Sequence, residues 1–489
     1  MTRRRAAGAL LAVAALLVAG CVAPTGSVTP GGLGGKNAPP DPSHDVLGWE
    51  QGYWYNESLA VTTDDGLNET ELHAVVHRAM ARVERLRGLE YDRDVPVTVL
   101  SRKEYRQQVL GGDGGGDGGS ERSTRAMFTD AKYEALFLVG EGGSSTAAQK
   151  ENQATNVQGY YAPSSDRIVV ISDSDTPALS ERTLAHELLH AVQFRTFDVN
   201  FDVNTSDGHR GASGLIEGDA RYLDQRYGER CGAAWSCVSP PNRSGSGDGG
   251  SGDGQQGGGV NQGLAILNYF PYSDGPGFVA HFRKRGGWDR VNRLYDDPPA
   301  TAEQVAVPSK YGSDPPVSVP LSDTSGPDWQ VLGGYDRVGI AGIAAMFAYP
   351  SYGQGGGVVP PQSFLNVGPD GKLNDTDPID YTFSYTDGWA GDKFVAYRNP
   401  SGEAGQYGYV WRLRWDDAAQ AREFADGYRT LLRYYGAESV DAGGPGVVWR
   451  ISDGKFADAF RVTVSGDTVT VVNAPTVEGL DAVHRRTGE

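Results

Sequence analysis

The chain has 489 residues, of which 39% are hydrophobic and 10% aromatic, so it is long enough for two or three domains with buried cores. This composition excludes a chain that is disordered throughout. A net charge of −18 and a pI of about 4.9 argue against nucleic-acid binding, which normally needs a basic face.

The first 21 residues have the organisation of a lipoprotein signal peptide. Arginines at positions 3 to 5 precede an apolar run over residues 8–20, which is too short to cross a bilayer as a helix. The run ends in a lipobox-like sequence whose Cys21 would become the lipid-modified N-terminus. Residues 22–46 are rich in Gly, Pro, Ser and Thr and are predicted to form a flexible tether. We therefore expect an exported cell-surface protein, anchored by lipid to the outer face of the cytoplasmic membrane.

Residues 47–322 are predicted to form the first folded domain. A helix is expected over residues 70–89, where apolar side chains recur at three- and four-residue spacing. Strands are then predicted over residues 95–100, 135–139 and 168–172. Helices are predicted over residues 180–194, 213–227, 276–286 and 288–295. Two glycine-rich tracts, at residues 111–119 and 240–259, are predicted to be loops.

Residues 323–489 are predicted to form a smaller α+β domain that packs on the first. Its predicted helices cover residues 338–348 and 417–435. Its predicted strands cover residues 406–415, 447–451, 460–464 and 468–472. The whole chain is therefore assigned to the α+β class.

Two of the three cysteines lie six positions apart, at Cys231 and Cys237. Outside the cell such a pair favours a short-loop disulfide, and a pair of free thiols is the alternative. A zinc site built on this pair is disfavoured, because the sequence has no second cysteine pair to complete it.

A His-Glu-x-x-His motif at residues 186–190 lies in one of the predicted helices. His186 and His190 are four positions apart, so they share one helical face and can bind one Zn²⁺. Glu187 lies about 100° further round the helix, where its carboxylate can reach a water molecule without ligating the metal. The motif therefore predicts a zinc site with Glu187 as general base. The alternative is a buried helix with two hydrogen-bonded histidines.

A catalytic zinc ion usually has three protein ligands and one open position. Position 196, which would carry a histidine in the metzincin pattern, is Thr196. Glu217, on the next predicted helix, is the best candidate for the third ligand. His209 is the competitor, in a stretch predicted to be a loop. Asp219 is a candidate to hydrogen-bond an imidazole and select its tautomer.

With this motif and the downstream segment 217–220, the chain resembles the gluzincin metallopeptidases. It is more closely similar to the peptidase-MA-like surface lipoproteins of haloarchaea, over most of residues 90–475. An acidic composition in which arginine outnumbers lysine fits a halophilic protein, although an ordinary acidic secreted protein is the alternative. The resemblance implies a zincin-like domain, with a mixed sheet and active-site helices. It implies His186, His190 and Glu217 as zinc ligands and Glu187 as base.

The resemblance also implies a side chain that stabilises the oxyanion, and Tyr272 is the candidate. An interfacial tyrosine with a hydrogen-bonded hydroxyl is the alternative. The strand at 168–172 is the candidate edge strand that binds substrate backbone, or else an ordinary strand of the sheet. Where relatives favour His-Pro, this chain has Val307-Pro308, so any role of that histidine is absent.

Together these features predict a lipid-anchored zinc metallopeptidase that acts on a peptide or protein substrate. One alternative is a catalytically inactive zinc-binding surface protein, and the intact Glu187 argues against it because a structural zinc site needs no base. Another alternative is a metal-free binding or structural lipoprotein. The sequence specifies neither the substrate nor the oligomeric state.

Overall fold

The computed structural model describes residues 39–109, 111, 123–174, 176–178, 180–239, 260–352, 357–374, 376–402, 406–444 and 446–486. The described helices are α1 (Glu69–Arg87), α2 (Arg102–Gln108), α3 (Thr124–Ala135), α4 (Ser145–Asn156), α5 (Glu181–Thr196), α6 (Ser206–Arg230), α7 (Gln262–Ser273), α8 (Gly275–Asn292), α9 (Ala302–Ala306), α10 (Gly339–Ala348), α11 (Ala418–Tyr434) and α12 (Gly479–Val483). The described strands are β1 (Trp49–Glu50), β2 (Tyr53–Trp54), β3 (Val97–Leu100), β4 (Gly159–Ala162), β5 (Arg167–Ile171), β6 (Gln330–Val331), β7 (Trp389–Arg398), β8 (Tyr407–Trp415), β9 (Glu438–Val440), β10 (Val447–Arg450), β11 (Ala459–Ser465) and β12 (Thr468–Ala474).

Helices and strands are mixed, which confirms the predicted α+β class. None of the described helices combines the length and the apolar character needed to cross a membrane. The predicted signal peptide with Cys21 and the tract 240–259 lie outside the described residues, as do most of the predicted tether and of the tract 111–119.

A three-stranded sheet in the order β3-β5-β4 lies beside helix α5. β5 pairs in parallel with β3 and antiparallel with β4, so β4 is the edge strand next to α5. Residues 168–172 therefore belong to an ordinary central strand, which was the alternative, and do not form the edge. The continuous apolar run of β5 is typical of a strand buried between two neighbours.

Helix α5 packs against both α1 and α6, and their apolar faces form one hydrophobic cluster with β5. Helix α1 begins at a capping box in which Asn68 and Glu71 satisfy each other's backbone N–H groups, and it ends at Gly88 in the left-handed conformation. These caps fix the ends of the helix against which the motif helix packs.

The C-terminal region contains a seven-stranded antiparallel sheet in the order β6-β7-β8-β12-β11-β10-β9. Alternate residues of β7 face opposite sides. Phe394 joins the large cluster that includes α11, whereas Val395 joins the smaller cluster that includes α12. The two helices therefore cover opposite faces of the sheet.

The largest hydrophobic cluster crosses the predicted domain boundary at residue 322. It joins helices α7 and α8 to the C-terminal sheet through α10, whose residues are all buried. The two predicted domains thus share a core, and the boundary itself stays a prediction.

The strand predicted at residues 135–139 is wrong. Helix α3 runs to Ala135, and the next four residues form a buried turn. Phe137 adopts a φ of 56° and stacks on Tyr435 with ring centroids 4.8 Å apart. A short apolar run has the same composition in a strand and in a buried turn, so the pattern alone could not separate them.

Cys231 and Cys237 are joined by a disulfide at the C-terminal end of α6, as predicted. Trp235, inside the loop that the disulfide closes, packs edge-on against Tyr227 of α6 with ring centroids 5.0 Å apart. The loop therefore covers one end of the hydrophobic cluster that contains α5 and α6.

Candidate metal centre

Helix α5 holds the two histidines of the motif one turn apart. Its N-terminus is capped by Ser180, whose hydroxyl accepts from the backbone N–H of Thr183. Leu184, Leu188 and other apolar residues of α5 are buried in the core. His186 and His190 lie on the side of the helix that faces α6, with ring centroids 4.8 Å apart.

Helix α6 brings Glu217 to the same point. The Nε2 atoms of His186 and His190 are 3.2 Å apart, and Oε2 of Glu217 is 3.4 Å from the first and 3.2 Å from the second. Donors bound at about 2.0–2.1 Å to a tetrahedral ion lie about 3.3 Å from one another, so this triangle has the size that zinc requires. Oε2 is buried and has no hydrogen-bond partner, which leaves it available to a cation. Among the described residues this is the one cluster whose donor atoms could share a metal.

Glu187 lies beside the triangle and contacts the edge strand. Its Oε2 accepts a hydrogen bond of 2.9 Å from the backbone N–H of Tyr161 in β4. Glu187 and His186 both line a cavity beside the triangle. Sequence reasoning did not identify Tyr161 as a partner of Glu187, because nothing in the sequence indicates which strand is the edge.

A chain of hydrogen bonds orients His190. The amide nitrogen of Gln193 donates to the Ile216 carbonyl at 3.0 Å and to the Tyr295 hydroxyl at 2.8 Å. The amide oxygen of Gln193 therefore faces Nδ1 of His190, at 2.8 Å. A proton on Nδ1 satisfies this contact and leaves the lone pair of Nε2 directed at the other donors.

Asp219 was predicted to contact an imidazole, and the structure places it further away. Its carboxylate bonds to Arg87 at 3.0 Å and accepts from the Tyr295 hydroxyl at 2.8 Å. It therefore acts on His190 only through Tyr295 and Gln193.

The carboxylate next to His186 is Asp224, whose Oδ2 lies 3.7 Å from Nδ1 of the ring. Asp224 is itself held by Arg182 at 2.6 Å and by Arg221 at 2.9 Å. It follows Glu217 by seven residues, which is two turns on one helical face, and this spacing is a signal that could have identified it.

A buried ion pair fixes the start of α5 against its neighbours. Glu181, which is fully buried, pairs with Arg78 and Arg82 of α1, each at 2.7 Å. It also accepts from the Tyr227 hydroxyl of α6 at 2.6 Å. One carboxylate thus ties α1 to α5 and α6, the two helices that carry the candidate ligands.

Tyr272, the predicted oxyanion-stabilising residue, lies in the last turn of helix α7 and contacts the donor triangle. Its ring stacks on His186 with centroids 6.2 Å apart. Burial raises the pKa of Tyr272 well above its ordinary value, and the carboxylates of Glu217 and Glu187 raise it further. The phenol is therefore a neutral hydrogen-bond donor.

His209, the competing third ligand, lies in the first turns of α6 and not in a loop. It is exposed and lies outside the donor triangle, so Glu217 is the better placed ligand.

The histidines and Glu217 of the triangle shift one another's pKa values strongly. Burial alone would lower the pKa of His186, but Asp224 and Glu217 dominate and raise it to about 10. Burial would raise the pKa of Glu217, but His190 and His186 hold it below its ordinary range. Burial also raises the pKa of Glu187, and the two histidines offset this in part. The site therefore stabilises positive charge at the point where the three donors meet.

A cavity of about 300 Å³ opens beside the triangle, between α4, α7 and the start of β4. His186, Glu187 and Tyr272 lie on one side of it. Its other walls carry amide side chains, among them Asn152, Gln153 and Asn268. The donor triangle is thus reachable from a cleft large enough for part of a peptide.

A match to a known protein family is found only in the C-terminal region of the chain. Residues 330–484 match the family described as a domain of unknown function, DUF8575. No curated protein and no solved structure matches the chain. The matched segment begins after α9 and contains none of the triangle residues.

Proposed function

We propose that the protein is a zinc-dependent metallopeptidase of the gluzincin type. The observation that carries the proposal is the triangle of two imidazole nitrogens and one carboxylate oxygen, with sides of 3.2–3.4 Å, beside the half-buried Glu187 and an open cleft. The zincin-like fold that the sequence resembles is supported by a mixed sheet whose antiparallel edge strand lies next to the motif helix.

Two imidazoles and one carboxylate are a donor set that catalytic zinc sites use, with a fourth position left for water or substrate. His186, His190 and Glu217 would hold the ion. When bound, zinc would polarise the substrate carbonyl and lower the pKa of water towards 7.

Glu187 is placed to act as the base. One of its oxygens is held by the N–H of Tyr161, and the other is free to accept a proton from water and pass it to the leaving amine. The hydroxyl of Tyr272 would donate a hydrogen bond to the substrate oxygen on which negative charge develops. Tyr272 stacks on His186, which precedes Glu187 in α5, and Tyr272 and Glu187 line the same cavity.

The substrate backbone would pair with β4. Tyr161 directs its N–H away from β5, towards α5. Residues two apart in a strand direct their backbone groups to the same side, so those of Gly159 also face away from β5. Gly159 lines the cavity, where an extended peptide could add to the edge of the sheet.

Glu187→Gln tests the mechanism, with Glu229→Gln as the control because Glu229 is an exposed residue of α6. Both variants should retain one zinc per chain. Only Glu187→Gln should lose hydrolysis of a peptide library, assayed at high salt, by at least roughly 100-fold. Turnover equal to that of the parent would show that Glu187 is not the base. A parent that holds zinc and cleaves nothing would favour the inactive zinc-binding protein.

We also propose that the protein is exported and anchored to the outer face of the membrane through Cys21. The proposal is supported by the sequence that ends in Cys21 and by the disulfide between Cys231 and Cys237, since structural disulfides persist mainly in oxidising compartments.

A further inference from the structure

A second cavity, of about 290 Å³, adjoins the metal centre on the side of α6. Glu217 lines it, together with Asn268 and Tyr272, which also line the larger cavity. The two cavities therefore share a wall at Asn268 and Tyr272. The second cavity differs from the first in that its wall carries Arg210.

Arg210 forms no salt bridge within the part of the chain that the structure describes, although the charge of Asp207 lies near enough to interact with it. Its Nη1 donates to the Ser206 carbonyl at 3.1 Å, and its Nε is buried without an acceptor. The neighbouring Asp207 is fully buried and pairs with Arg337 at 2.8 Å. By contrast, Arg221 in the first cavity is neutralised by Asp224 at 2.9 Å.

Arg210 lies on the same face of α6 as Glu217, the candidate metal ligand. Arg210, Glu217 and Asp224 are spaced by seven residues, so they lie on one face of the helix, two turns apart. Two turns correspond to about 10 Å along the helix axis. An extended peptide advances about 3.3 Å per residue, so Arg210 lies within about three residues of a bond held at the triangle.

We infer that Arg210 binds a carboxylate of the substrate, within about three residues of the scissile bond. A guanidinium that lines a cavity without a salt-bridge partner suits a carboxylate, which accepts two parallel N–H bonds. Glu217 is the one carboxylate in the wall of this cavity, and the metal would engage it. In a protein of net charge −18 an acidic substrate needs such a local cation to overcome repulsion.

This inference rests on the proposed peptidase function and deepens it by naming the substrate class. The carboxylate could be the C-terminus of the peptide or an Asp or Glu side chain. In the first case the enzyme removes short C-terminal fragments, and in the second it cleaves near acidic residues.

The test measures binding rather than turnover, in zinc-loaded Glu187→Gln protein. One short peptide library is made with free C-termini and again as carboxamides, and a third set replaces Glu and Asp by Gln and Asn. We expect the peptides that carry the recognised carboxylate to bind at least roughly tenfold more tightly than their neutral partners. Arg210→Gln, added to this background, should abolish the difference. Arg210→Lys should retain part of it, because the charge stays and the paired donors are lost.

Arg226→Gln is the matched control, since it removes the same charge from an exposed position of the same helix, outside both cavities. If folded Arg210→Gln protein still prefers peptides with the carboxylate, the inference is overturned. It is also overturned if Arg226→Gln loses this preference to the same extent. If carboxylate-dependent binding is found but the parent cleaves nothing, Arg210 binds peptide carboxylates and the peptidase proposal falls. If the parent cleaves peptides but no set shows carboxylate-dependent binding, the inference falls and the peptidase proposal stands.

Discussion

Helix α6 crosses α8 where two glycines meet, and one added methyl group at Gly218 probes how this crossing positions the candidate ligand Glu217. An ideal Cβ on Gly218 would lie 2.4 Å from the carbonyl carbon of Gly275 and 2.5 Å from its oxygen. Non-bonded carbon atoms normally approach to only about 3.5–4.0 Å. Gly218→Ala must therefore move the two helices apart by roughly 1 Å at the crossing.

Two opposing effects determine the sign of the stability change. Replacing glycine by alanine inside a helix normally stabilises it by about 1 kcal/mol. Overpacking costs about 1–3 kcal/mol, and here the obstructing atoms belong to the backbone and cannot rotate away. We expect Gly218→Ala to lose roughly 1–2 kcal/mol of unfolding free energy. Glu217 immediately precedes Gly218, so the same shift should weaken Zn²⁺ binding by roughly tenfold or more.

Urea unfolding measures the first quantity, and competition with a chromophoric chelator measures the second. The control is Gly277→Ala in α8, where the added Cβ would meet nothing within 4 Å. This variant should be at least as stable as the parent and should bind zinc equally well. If Gly218→Ala matches it in both measurements, the helices do not need the close contact, and the reasoning is refuted.

Asp224→Asn should weaken Zn²⁺ binding by about 10- to 100-fold in the same chelator assay, because the carboxylate beside His186 is lost. Zinc affinity equal to that of the parent would show that Asp224 does not support His186. Burial raises the pKa of Asp392 from 3.8 to about 6, so its contribution to stability is present below about pH 4 and is lost as pH rises through about 6. The unfolding free energy of the parent minus that of Asp392→Asn should therefore fall between pH 4 and 7, and a constant difference would contradict this. Cys21→Ser should transfer the exported protein from the membrane to the soluble fraction, whereas unchanged membrane retention would exclude the lipid anchor.

The cluster of His186, His190 and Glu217 could be predicted because the spacing of its histidines is a local property. His186 and His190 share a helical face wherever that helix lies, and Glu217 follows on the next helix in the chain. The partners of these ligands depend on tertiary structure. Glu187 contacts Tyr161 because β4 pairs with the edge of β5 that lies opposite β3. His190 is oriented, through Gln193, by Tyr295, which is more than 100 residues away in the sequence.

The elements with clear periodicity were also predicted, among them α1, α5, α10, α11 and the strands β8 and β10–β12. The polar helices α2 and α4 were not predicted, because they have no apolar stripe. Helix α7 and strand β7 were not predicted either. Helix α6 begins seven residues before its predicted start because Thr205 caps it. The glycines that interrupt its apolar pattern, such as Gly214 and Gly218, are the points where Val305 and α8 approach.

X-ray absorption at the zinc edge, on protein reconstituted with zinc, tests the central claim most directly. One zinc per chain should be bound, with two imidazole nitrogens and one or two oxygens at about 2.0–2.2 Å, and Glu217→Ala should remove an oxygen or release the metal. Zinc that stays well below one per chain, or a shell with four protein ligands and no open position, would contradict a catalytic centre at this triangle.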